Sequence, residues 1–99
     1  MLSKFRTYQL AVQFYKQCEK TKLPRHLKDQ ILGASSSIAL NLAEGSVKPT
    51  VKDRMKFYHI AFGSLRECQS IIELSSIENL NESADMLGAH LYRLCNPSP

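Results

Sequence analysis

Chain breakers are scarce in this sequence: four glycines, four prolines and no tryptophan among 99 residues. So few interruptions argue for a handful of long elements rather than many short strands and turns, and helices fit that best. Cysteine is also sparse. Cys18, Cys68 and Cys95 are odd in number and widely separated, with no CxxC pair and no histidine at ligand spacing, which speaks against a disulfide framework or a zinc site and for reduced, buried thiols. His26, His59 and His90 share no local spacing either, so neither a metal nor a cofactor is expected. No apolar run reaches the roughly 18 residues that read as a membrane span, and the segment Met1 to Gln9 has no signal-peptide core. These absences point to a cytoplasmic protein with no membrane role. With 43% hydrophobic and 22% charged residues and no low-complexity tract, residues 1–99 should fold as a single domain.

What is present is helical periodicity. Phe5, Tyr8, Val12 and Tyr15 recur at three- and four-residue steps, with Ala11, Phe14 and Cys18 on an adjoining stripe, which predicts a helix over about residues 3–20. Pro24, at a first helical position, opens a second helix over about 24–44, with Leu27, Ile31, Ala34, Ile38 and Asn41 as its seam and Gly45 as a left-handed cap. The small residues Gly33 to Ser37 weaken helix propensity, but the seam stays in phase across them. Thr50 and Asp53 resemble a capping box at the head of a third helix, about 50–76. That helix is apolar on two sides: Val51, Met55, Tyr58, Phe62, Leu65 and Ile72 form one seam, Phe57, Ala61, Ser64, Cys68 and Ile71 the other. Asn79 or Asn81 starts a fourth helix, about 80–95, that Asn96 and Pro97 stop. The fold class is therefore all-α, an antiparallel up-down-up-down four-helix bundle. Helices one and three carry more apolar face than one small core requires, which predicts self-association.

Polar residues interrupt the pattern in two places, Ser37, Asn41 and Glu44 near the end of helix two and Ser64 and Glu67 within helix three. An amide in an apolar seam needs hydrogen-bond partners, so these residues are expected to form a polar lock that fixes helix register. Glu44 faces the negative end of its helix dipole and should be held by something else. An acid/base pair of Glu44 and Glu67 is the enzymatic alternative, but without a nucleophile, metal set or phosphate loop it has little support, and no catalytic residue is assigned.

The stretches Ser37-Ile38-Ala39-Leu40-Asn41-Leu42-Ala43-Glu44-Gly45 and Ile60-Ala61-Phe62-Gly63-Ser64-Leu65-Arg66-Glu67 resemble the bacterial four-helix-bundle family of proteins encoded in 23S rRNA intervening sequences. That family also takes in the accessory variability proteins of diversity-generating retroelements. The resemblance implies a non-enzymatic four-helix protomer that assembles as a homopentamer and uses a basic surface toward RNA or DNA, or toward a reverse transcriptase or other nucleoprotein.

Charge is divided unevenly. Up to Lys56 the chain has 11 of its 13 basic residues and only four acids; the remaining 43 residues carry two bases and five acids. In an up-down bundle Lys4, Arg6, Lys48, Lys52, Arg54, Lys56 and Arg93 gather at one pole against only Glu44 and Asp53, whereas the charges of the other pole nearly cancel. Lys52, Arg54 and Lys56 oppose the dipole of the helix they begin, so helix stability does not explain them. Phosphate binding through Lys4, Arg6, Lys48, Lys52, Arg54 and Lys56 would; an ordinary solvated face is the alternative. Tyr8, Tyr58, His59, His90 and Tyr92 lie close enough to that half to stack on bases, although tyrosines at helical spacing more often pack a core or interface.

Overall fold

Four α-helices follow one short 3-10 turn, Leu2–Lys4, in a computed structural model that describes residues 2–98. They are α1 (Arg6–Lys20), α2 (Arg25–Ser46), α3 (Val51–Ser75) and α4 (Asn81–Cys95), and no strand occurs among the described residues. Each helix packs against its chain neighbours and α4 returns against α1, closing a four-helix bundle of 40 × 22 × 20 Å. The most extensive pairing is α2 with α3, the two longest helices.

Local chemistry sets the ends. Thr50 is the N-cap of α3, its hydroxyl accepting from the Asp53 amide at 3.1 Å. Pro24 stands one residue before the helical start rather than in it: its carbonyl accepts from the amides of Leu27 (3.0 Å) and Lys28 (2.8 Å). The first helix begins later than periodicity predicts, because Phe5 is extended and separates it from the 3-10 turn. Ser76, in the left-handed region at φ 58°, ends α3.

Gly45 is a correction. It is not a left-handed cap but a helical residue, and α2 continues to Ser46. Its lack of a side chain serves packing instead. A Cβ there would stand 2.7 Å from Tyr58 Cε1 and 3.1 Å from Phe57 Cβ, so glycine is what lets the end of α2 approach the start of α3. The stretch Gly33 to Ser37 is continuous helix, with Ser36 Oγ donating to the Gly33 carbonyl at 2.9 Å, a bond that stays within the helix.

The core draws one buried stripe from each helix. On α1 it is Leu10, Ala11, Phe14 and Cys18, while Tyr8, Val12 and Tyr15 of the other stripe are only half-buried at the flank. On α3 the two seams merge: Tyr58, Ala61, Leu65, Cys68 and Ile72 are buried, Phe57 and Phe62 half-buried, and Val51 exposed. A helix with two neighbours buries the wedge between them, not either seam whole. Ile31, Ile38 and Leu42 of α2 and Leu87 and Leu91 of α4 complete the interior. At the pole that joins α1 to α2 and α3 to α4, Lys28 Nζ donates to the carbonyls of Glu19 (2.7 Å) and Thr21, and Asn79 Nδ2 donates to Thr21 Oγ1 (3.1 Å). The ammonium there satisfies carbonyls that the end of α1 leaves open.

Candidate nucleic-acid interface

The opposite pole combines the start of α1, the end of α2, the start of α3 and the end of α4. Phe5 meets Tyr58 with ring centroids 6.0 Å apart, fixing α1 against α3. Arg54 Nη1 donates to the Lys48 carbonyl at 2.9 Å, tying the head of α3 to the preceding loop. The end of α4, with His90 and Arg93, reaches the same pole because α4 packs against both α3 and α1.

Here the cations of the sequence pattern come together. Lys4, Arg6, Lys52 and Lys56 are exposed, and Lys48 and Arg54 half-buried. Lys48 Nζ lies 2.8 Å from Glu44 Oε2, and this is the one ion pair among the described residues. The i,i+4 pair also sets an ammonium at the carboxyl end of α2, which compensates the misplaced Glu44. Both partners are substantially solvent-exposed, so the pair adds little stability. Lys4, Arg6, Lys52, Arg54, Lys56 and Arg93 have no carboxylate within 4.0 Å among the described residues.

Ring systems are interleaved with this charge. Two ammonium groups lie over the Phe57 ring, Lys48 Nζ at 5.2 Å and Lys56 Nζ at 5.9 Å from its centroid. An open cleft of about 770 Å³ lies between the 3-10 turn and the α2–α3 loop, lined by Leu2, Ser3, Lys4, Phe5, Ser46, Val47 and Tyr58. Val47 on its rim is 73% exposed. Periodicity could not reveal this cleft, because Ser46 and Val47 belong to no apolar seam and the turn Leu2–Lys4 is too short to show one. Of the aromatic residues near this half, Tyr58 is buried, Tyr8 and His90 half-buried, and His59 exposed. Tyr92 is exposed and packs edge-on against Phe62 at 6.4 Å. Burial raises the Tyr58 pKa, partly offset by Arg54. Desolvation, then the Arg93 and Arg6 charges, lower that of His90.

The polar cluster lies nearer the middle of the bundle. Ser37 Oγ and Ser64 Oγ are 2.9 Å apart across α2 and α3, and Asn41 Nδ2 donates to the Ser37 carbonyl (2.9 Å) and Ser37 Oγ (3.1 Å). All three are half-buried. Glu44 and Glu67 stand outside the cluster and are exposed. Since Ser37 faces Ser64 and the helices run antiparallel, Glu44 and Glu67 are separated by on the order of 15 Å along the bundle, too far to act on one bond. No group of three His, Cys, Asp or Glu among the described residues is placed to hold a metal ion. No described helix is long and apolar enough to cross a membrane.

A small four-helix bundle with a cationic end is the class that fold and site define. Within that class, the chain matches the 23S rRNA-intervening sequence protein family over residues 3–95 and belongs to it. Comparison with curated proteins and with solved structures gave no match.

Proposed function

We propose that this protein is a non-enzymatic, homo-oligomeric adaptor, a pentamer, that binds nucleic acid or a nucleoprotein such as a reverse transcriptase in the bacterial cytoplasm. The observation that carries the reading is the excess of cations at one pole. Seven basic residues there, Lys4, Arg6, Lys48, Lys52, Arg54, Lys56 and Arg93, meet two acids, Glu44 and Asp53, and only Lys48 is paired among the described residues. Such a surface binds phosphate with little sequence preference. The family is named for intervening sequences of 23S rRNA, which makes RNA the first nucleic acid to test.

Self-association has its own support. From Gln30 to Ala43 α2 carries no charged side chain, although only one side of it faces the core, and Leu40 on the outer side is 68% exposed. An uncharged outer face over that length is what a contact with another copy requires. A ring would place the cationic poles together, so their fields add. This uncharged face also favours a second reading, an oligomeric scaffold that binds only protein.

Binding of single-stranded and duplex RNA and DNA, measured at low salt with an oligomer of known solution mass, distinguishes the two. The adaptor reading expects binding that weakens steeply with salt. No binding at low salt by an intact oligomer would leave only the scaffold.

A further inference from the structure

Phosphate binding needs only cations, yet the cationic pole also contains an apolar cleft that a simple electrostatic surface has no use for. Two aromatic rings line it, Phe5 and Tyr58, tilted at 55° to each other. Leu2 and Lys4 of the 3-10 turn and Val47 of the α2–α3 loop line it as well. Next to Val47 stand Lys48, paired with Glu44, and Arg54, which donates to the Lys48 carbonyl, so with Lys4 cationic groups adjoin the apolar slot. A nucleotide with its base free has matching parts, a flat π-face for the slot and an anionic phosphate for the rim. A duplex does not. Its bases are stacked inside, and it offers the protein only phosphates, sugars and base edges.

We infer that the cleft between the 3-10 turn and the α2–α3 loop receives an unstacked base, so the protein prefers single-stranded nucleic acid to duplex. The inference rests on the nucleic-acid reading above and narrows its ligand. Phe5, the less buried of the two rings, supplies the stacking surface, while Lys4, which lines the cleft and has no carboxylate within 4.0 Å among the described residues, holds a flanking phosphate. Charge decides between this occupant and an apolar side chain of a protein: the excess of five positive charges at this pole calls for an anion beside the apolar group, and every nucleotide carries one.

The test uses the full chain and a short single-stranded oligonucleotide carrying one 2-aminopurine, alone and annealed to its complement. Expected are quenching of the probe on binding and about tenfold tighter binding of the single strand than of the duplex at equal salt. Phe5→Leu keeps apolar volume but removes the ring and should erase most of that preference, leaving duplex affinity and its salt dependence unchanged. Ser46→Met, at an exposed position, fills the cleft from the opposite wall and should do the same; it carries the test if Phe5→Leu melts early. Equal affinity for both forms, or a preference that survives both variants, overturns the inference while leaving the adaptor reading intact. Loss of all binding at low salt overturns both.

Discussion

Gly45→Ala and Gly33→Ala are the same chemical change in the same helix, and the structure predicts opposite outcomes. In an exposed helix interior, alanine stabilises by about 1 kcal/mol over glycine. Within the protomer Gly33 is exposed and a Cβ added there meets nothing within 4 Å, so this variant should gain most of that amount where the outer face of α2 does not touch another copy. At Gly45 the same gain is opposed by contacts of 2.7 and 3.0 Å to the Tyr58 ring and 3.1 Å to Phe57 Cβ. The Tyr58 ring is buried and packed on Phe5, and a Cβ atom cannot swing away, so the start of α3 must shift. Overpacking of this kind costs roughly 1–3 kcal/mol, which makes Gly45→Ala neutral to about 2 kcal/mol destabilising. The two variants should therefore differ by about 1–3 kcal/mol, or at least about 4 °C in melting temperature for a domain of this size. Thermal melts followed by circular dichroism, at a concentration where both variants have the same mass, provide the assay. A Gly45→Ala protein that melts as high as Gly33→Ala would refute the packing argument.

Other outcomes follow from the buried and titrating groups. Burial pushes the Cys18 thiol up to about 11, and burial, then Cys18 and Glu67, raise Cys68 further, so neither should react with a thiol reagent at neutral pH until the protein unfolds. Because both folded-state values exceed those of the unfolded chain, their contribution is intact below about pH 8.5 and is lost as pH rises toward the folded values. A urea midpoint that does not fall between neutral and alkaline pH would contradict this. His90 has the opposite sign: its lowered pKa favours the neutral ring in the folded state, so stability should decline as pH falls through about 6.5. An NMR titration should place its midpoint below 6.5, and bound polyanion should raise it; a midpoint at or above 6.5 in the free protein would contradict a half-buried ring beside Arg93 and Arg6. Ser64→Ala removes the partner of Ser37 across α2 and α3 and should cost about 1 kcal/mol, with Ser37→Ala, Ser64→Ala together costing less than the sum of the two. Strict additivity in that cycle would show that the hydroxyl pair is not coupled.

The helices were legible in the sequence chiefly through apolar spacing; of the cap signals only Thr50 acts as expected, accepting from the Asp53 amide, whereas α4 has Leu80 as its N-cap and no side-chain capping bond from Asn79 or Asn81. The gathering of cations at one pole was legible as well, since short loops force antiparallel neighbours. Less legible was anything set by the distance between two helices. Gly45 reads as a cap in sequence because glycine after a periodic run usually is one, but its role here comes from Tyr58 and Phe57, which sequence does not place beside it. On α1 the half-buried Tyr8, Val12 and Tyr15 are as periodic as the buried stripe, and only the position of α2 and α4 decides which is core. Glu44 is a similar case: its place at the negative end of a helix dipole called for a partner, but that Lys48 supplies it depends on the backbone at Val47, where α2 ends.

The central claim is that the cationic pole binds nucleic acid through phosphate, and the salt slope of binding tests it most directly. Lys52 and Lys56 are exposed and have no carboxylate within 4.0 Å among the described residues, so Lys52→Gln, Lys56→Gln should leave the fold unchanged. In a plot of log affinity against log salt, each phosphate that a cation no longer neutralises lowers the steepness by about 0.7 for a single strand. The account predicts a slope shallower by about 1.4 for the double variant in a one-protomer site, and more where several protomers of a ring contribute. An unchanged slope and affinity would contradict it.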